Sequence, residues 1–307
     1  MKIFSSLRKG FELVCRARTG VLITWFLFFL LTLSLVYPLR SALNSAFGGS
    51  MITERLAEGL DIEVFADLGT TGMGILSSFT GGLIFTFLVA FLLNAFVSAG
   101  LFGIMRKDTG GFSAREFFRV AAGNFLPYLL ILFVLTIAYI FFLILLLLVP
   151  LGASVSGNGE YSGAIRLAGA LLLALLTPVF LLVADYSRAW KAGSDNVSAF
   201  EAIGYGLSTT FGKLGRSYLL MVLLILVQIL LLYAVVLIMP AWRPATGGAV
   251  FLMLVVSQLL VILRLFLKAW RYASVTAMME SFQKVRPEAP EEQTAESVGA
   301  GFGQHVE

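Results

Sequence analysis

The chain has 307 residues, of which 59% are hydrophobic and only 13% charged, and its mean hydropathy is +0.92. That balance excludes an ordinary water-soluble domain, and because the apolar residues come in long uninterrupted runs it points to a polytopic membrane protein. The formal net charge of +4 does not imply nucleic acid, since the cations stand beside the apolar runs, where topology and anionic headgroups account for them.

A helix crossing the hydrocarbon needs about 20 apolar residues, because every backbone polar group there must find an internal partner. Six charge-free intervals meet this requirement: Thr19–Leu39, Leu68–Met105, Val120–Gly159, Leu167–Ala184, Ser217–Trp242 and Pro244–Leu263. The second and third are long enough to include loop residues. The expected fold is an all-α bundle of six transmembrane helices.

Before the first interval, Met1 to Arg18 is amphipathic, with Leu7, Phe11 and Val14 on one stripe and Arg8, Lys9, Glu12 and Arg16 off it. Such a helix is expected to lie on the inner leaflet before the chain turns in at Thr19-Gly20. About twenty residues precede the first apolar run and it lacks a convincing small-x-small cleavage site, which favours a retained span over a signal peptide. Tyr37-Pro38 is where that span is expected to stop. Residues 40–71 form an acidic external loop with a short capped helix at Thr53–Gly59. The Gly/Thr/Ser-rich approach through Gly82 suits close packing against a neighbouring helix.

After the second span comes Ser113-Ala-Arg-Glu116, and after the fourth, 85 residues later, Ser198-Ala-Phe-Glu201. Both read as capping boxes: the serine oxygen accepts from the amide three residues on, and the glutamate returns to the serine amide. Each starts a stripe leading into a span, Phe117, Ala121 and Phe125 in one case, Phe200, Ile203, Leu207 and Leu214 in the other. The fourth and sixth spans end alike, in Arg188-Ala-Trp-Lys191 and Lys268-Ala-Trp-Arg271. Trp190, Lys191, Trp270 and Arg271 are therefore expected as interfacial anchors in anionic headgroups. Together these features predict a threefold repeat of an interfacial helix and two spans, over 1–105, 113–190 and 198–282. The sixth span is expected to project as a helix towards Phe282, followed by a disordered tail over 283–307.

Eighteen of the 22 Lys and Arg residues fall at the termini and in the even-numbered connections; Arg40, Arg55, Arg166 and Arg243 are the exceptions. The positive-inside rule then places both termini in the cytoplasm. Cys15 is the only cysteine and His305 the only histidine, so neither an intramolecular disulfide nor a Cys/His metal site can form. Phosphate-loop, serine-hydrolase, zinc-protease and dinucleotide fingerprints are all missing. No cofactor or metal is expected.

Ionisable and polar residues at depth are the remaining candidates. Asp185 and Arg188 lie one turn apart, and Arg264, Lys268 and Arg271 share a face of the sixth span. If the fourth and sixth spans are neighbours, Asp185 is expected to pair with Arg264 or Lys268 near the cytoplasmic interface, as a structural ion pair in preference to a proton- or anion-handling site. Asn94, Gln228, Ser257 and Gln258 are read as interhelical hydrogen-bonding groups before they are read as a solute path.

The run Pro178-Val-Phe-Leu-Leu-Val-Ala-Asp-Tyr-Ser-Arg-Ala-Trp190, with the capped helix and the Gly212-Lys213 turn behind it, resembles a broad group of poorly characterised bacterial six-span membrane proteins. It is also similar to the membrane domain attached to some bacterial glycerophosphodiester phosphodiesterases. The resemblance implies a six-span domain over 1–282; the hydrolase part is absent from this chain, so it implies no catalytic residue. The expected role is a non-enzymatic inner-membrane scaffold, accessory subunit or lipid-contacting protein, with a transporter or channel for a small or lipidic solute as the alternative. The expected partners are anionic lipids at the cytoplasmic face and a membrane protein or a second copy of the chain.

Overall fold

The computed structural model describes residues 2–47, 69–106, 113–155, 159–194, 196–238 and 246–283. They form nine helices: α1 (Lys2–Arg16), α2 (Arg18–Phe47), α3 (Gly69–Arg106), α4 (Ala114–Gly123), α5 (Phe125–Val155), α6 (Gly159–Lys191), α7 (Ala199–Gly212), α8 (Leu214–Ile238) and α9 (Gly247–Gln283). Six of these, α2, α3, α5, α6, α8 and α9, are long and apolar enough to cross a bilayer. Residues 40–47 and 69–71 of the expected external loop are instead the end of α2 and the start of α3; the rest of that loop with its capped helix, the turn at 240–244 and the tail beyond Gln283 lie outside the described residues.

Among the described residues, a short helix precedes a pair of long ones at three places. In each case one residue, Ala17, Asn124 or Lys213, separates the short helix from the long one that follows. The backbone bends there without losing its bonds: Ala17 N–H donates to Leu13 O, Asn124 to Val120 O and Lys213 to Thr209 O. The third apolar interval therefore begins inside α4, and its span starts only at Phe125. Apolar composition alone could not separate the two helices.

At the first span the expected stop at Pro38 is overturned, because α2 continues through it to Phe47. Proline removes one backbone donor, but ending the helix in an apolar medium would leave several groups unpaired, so continuation costs less. Pro127 needs no such tolerance: it lies in the first turn of α5, where the missing N–H has no helical partner to lose.

Packing is concentrated at one end of the bundle. The inward-buried side chains of α3, α6 and α9, among them Phe102, Leu182, Tyr186, Tyr272 and Met279, form a core with Val14, Phe117, Tyr128 and Leu220. We call this the core end. Towards the opposite, open end the long helices expose Phe133, Phe141, Leu171, Leu175, Leu230, Leu237, Phe251 and Leu254. A water-soluble protein would not leave so continuous an apolar surface uncovered.

The three returning helices α3, α6 and α9 touch one another, and each short helix lies on one of them: α4 on α3, α7 on α6, and α1 on α9. Small residues set these approaches. Gly100 and Gly103 of α3 face the Phe117 ring and Val120, Gly206 of α7 faces Ser187, and Gly10 of α1 faces Ser274. In consequence the buried stripe of α1 is Ser6, Gly10 and Val14, continued by Ala17 at the bend, while Phe4 and Phe11 are exposed. The expected stripe of Leu7, Phe11 and Val14 is thus rotated, because the closest helix contact selects the smallest side chains and the largest ones remain outside. Of the small-residue approach to α3, Gly82 meets Leu35 of α2, whereas Gly74 and Gly81 face open space.

Gly206 and Gly204 give an internal comparison on α7. A Cβ on Gly206 would stand 2.6 Å from Val183 O and closer still to Ser187 Oγ, whereas one on Gly204 would meet nothing within 4 Å. Gly206→Ala is expected to destabilise the detergent-solubilised protein by about 1–3 kcal/mol. Gly204→Ala should leave stability unchanged or raise it by up to about 1 kcal/mol. Thermal melts of the two variants side by side check this.

Candidate functional site

Asp185, on the second-last turn of α6, is fully buried at the core end. Its Oδ2 lies 2.9 Å from Arg271 Nε of α9, and its Oδ1 lies 3.5 Å from Arg188 Nη1 of its own helix. Neither contact is an aligned hydrogen bond among the described residues, so attraction between opposite charges in a dry interior is the main term. Arg271 also places its guanidinium 5.2 Å from the centre of the Tyr272 ring.

The expected partner was Arg264 or Lys268, and the structure replaces both. Lys268 Nζ donates instead to Asn94 Oδ1 of α3 at 2.6 Å, and Arg264 faces away into a groove between α8 and α9. The three cations share a sequence stripe but differ in depth along α9, and only Arg271 is level with the carboxylate. Lys191 and Arg271, expected as interfacial anchors in the headgroups, are instead buried, at 5% and 8% exposure. Trp190 and Trp270 likewise have protein partners. Trp190 stacks on Tyr205 of α7 at 3.9 Å, and Trp270 donates its indole N–H to Leu7 O of α1 while meeting Phe11 edge-on.

Around the ion pair the polar groups tie different helices together. Tyr128 of α5 donates to Arg188 O at 2.7 Å, and Tyr186 of α6 shares a 2.7 Å bond with Ser217 of α8. Arg106 at the end of α3 donates to Ala189 O near the end of α6, a cation meeting the unpaired carbonyls of a helix terminus. Phe102 stacks on Tyr272 at 4.6 Å and also approaches Tyr128. These tyrosines and Arg106 were not singled out from the sequence. A tyrosine at the basic end of an otherwise aliphatic span was the available signal, since its hydroxyl must find a partner once buried.

The capping residues divide. Ser198 and Glu201 form the complete reciprocal box at the start of α7. At α4 Ser113 accepts from Glu116 N–H, but the Glu116 carboxylate turns to Arg119, 2.7 Å away, so the return half expected from the sequence is replaced by an ion pair within the helix.

Of the remaining deep polar groups, Gln258 accepts from Trp25 Nε1 of α2 at 3.1 Å, and Ser257 donates to Leu254 O of its own helix. Gln228 and Ser257 line the groove between α8 and α9, which has a volume of about 480 Å³. The remainder of its wall is aliphatic apart from Arg264: Ile225, Leu231, Leu232, Val235, Leu260 and Val261 among others. Gln228 Nε2 is buried without a hydrogen-bond partner among the described residues. No group of three or more metal-ligating side chains occurs among the described residues.

No family model, no curated protein and no solved structure matches the chain.

The chemistry open to the Asp185 cluster is that of a brace. The carboxylate has no exposure to solvent or solute in this conformation, and both its neighbours are cations on the helices it joins. Arg271→Met should cost about 3–5 kcal/mol by stranding Asp185 with only the longer Arg188 contact. Arg271→Lys should recover part of that, because a lysine keeps the charge but loses the guanidinium fork. Thermal unfolding of the two variants in the same detergent is the check.

Proposed function

We propose that this chain is a non-enzymatic integral protein of the bacterial inner membrane, a scaffold or accessory subunit in contact with lipid. Its core end and both termini face the cytoplasm. The observation that carries the reading is the two-sided character of the short helices. Each buries one side against a returning helix, and each leaves phenylalanine on another: Phe4 and Phe11 on α1, Phe118 on α4, Phe200 and Phe211 on α7. Exposed aromatics on a short helix that leads straight into a span suit the headgroup layer, where the ring enters the acyl boundary and neighbouring cations meet anionic lipid. Arg16, Lys213 and Arg216 supply exposed cations at the same end, where Arg8, Lys9 and Arg119 each pair with a glutamate. The positive-inside rule makes that end cytoplasmic.

The threefold repeat belongs to the same reading. Three units, 1–105, 113–190 and 198–282, would each supply a short helix, an outgoing span and a returning span. The contacts of α4 with α3, α7 with α6 and α1 with α9 support it, because each short helix lies on the returning helix of the unit before it and α1 closes the ring. A second reading, a transporter of a lipidic solute, is favoured by one feature, the groove between α8 and α9.

Native mass spectrometry of the protein released gently from its own membrane distinguishes these readings. The scaffold reading expects a second polypeptide in fixed stoichiometry with the chain. Release of the chain without any protein partner, across several mild detergents, would contradict it.

A further inference from the structure

We infer that the groove between α8 and α9 is a binding site for one anionic glycerophospholipid, held by its phosphate at Arg264 and by an acyl ester at Gln228. This rests on the six long helices spanning a bilayer and is independent of whether the protein is a scaffold. Arg264 is exposed and has no ion-pair or hydrogen-bond partner among the described residues, unlike Arg271 and Lys268 on the same face. An isolated guanidinium in an otherwise aliphatic groove calls for an anion, and its planar fork suits a phosphate.

The order of groups along the groove matches the order of groups in a phospholipid. At 1.5 Å per residue, Arg264 lies roughly 26 Å from the start of α9 at Gly247, close to the roughly 30 Å thickness of the hydrocarbon. That puts the guanidinium at the depth of headgroup phosphates on the core side. α9 runs towards the core end and α8 away from it, so Leu260, Ser257, Leu231, Leu232 and Val235 all lie deeper in the bilayer than Arg264. Gln228 lines the facing wall on α8, where a glycerol ester carbonyl would seek a donor, and Ser257 lies seven residues, roughly 10 Å, below Arg264, past Val261 and Leu260. Gln228 Nε2 is the unpartnered donor there. Beyond it the wall is aliphatic, as an acyl chain requires. The volume of about 480 Å³ falls within the ordinary range for a small-molecule site, roughly 300–1,000 Å³. A hydrophilic anion would satisfy Arg264 but would leave the aliphatic wall and the deeper amide without matching groups.

The test uses the full chain, delipidated in detergent and titrated with phosphatidylglycerol or with phosphatidylcholine of the same acyl chains, with bound lipid counted by native mass spectrometry. The wild-type protein is expected to retain one phosphatidylglycerol in preference to phosphatidylcholine. Arg264→Gln is expected to weaken that retention about tenfold, and Gln228→Leu to weaken it by a smaller factor. Arg40→Gln, which removes an exposed cation from the far end of α2, should leave it unchanged. Leu260→Trp keeps every charge and fills the groove, so it should also displace the lipid, and it serves if Arg264→Gln fails to fold. Equal retention of the two lipids by the wild-type protein would overturn the inference. So would undiminished phosphatidylglycerol binding in whichever of the Arg264→Gln and Leu260→Trp variants is folded. Because the readout is bound lipid, neither result depends on a polypeptide partner.

Discussion

The contact between Asp185 and Arg271 joins two helices whose apolar surfaces give them little reason to associate. Lipid tails are as apolar as leucine, so burying Leu or Val between spans gains little from the hydrophobic effect, and close packing and polar contacts must hold the bundle. Here both are concentrated at the core end. The carboxylate draws α9 to α6, Lys268 and Asn94 draw α9 to α3, and Arg106 and Tyr128 bind the last turns of α6. The glycines of α1, α3 and α7 then admit the short helices at close range. An unpaired charge in that dry interior would be costly, so the short helices that exclude water also raise the value of each polar bond beneath them.

The division between a braced end and an open one determines what the molecule can offer to its surroundings. Towards the open end the bundle is held mainly by pairwise contacts, such as Tyr139 with Thr177 between α5 and α6, and Trp25 with Gln258 between α2 and α9. Between α8 and α9 the walls separate enough to leave a groove, and Arg264 stands at its core-side mouth because the neighbouring cations of α9 are already engaged. Rigidity and accessibility are thus properties of different halves of the same helices.

The six long helices could be read from the sequence because length and uninterrupted hydropathy decide them locally, and the start of α7 because Ser198 and Glu201 are three residues apart. Features set by neighbours could not be read in this way. Gly10 is an unremarkable residue until Ser274 approaches it, yet that approach rotates α1 and puts Phe11 outside. Glu116 matches a capping pattern as well as Glu201 does, but Arg119 one turn on competes for its carboxylate. For Asp185 the pairing of α6 with α9 was foreseeable, whereas the partner depended on the relative depth of two helices, which no local pattern encodes. The tyrosines of the core were visible as residues, but their bonds to Arg188 O and Ser217 cross between helices and follow only from the assembled fold.

The most direct test of this account is a double-mutant cycle between Asp185→Asn and Arg271→Met, with unfolding followed in one mild detergent. If the ion pair is the brace between α6 and α9, each single change should be strongly destabilising. The double change should then cost at least about 1 kcal/mol less than the two added together, since neither partner is left stranded. Strict additivity of the two losses would contradict it, and would mean that the carboxylate and the guanidinium contribute to the core separately.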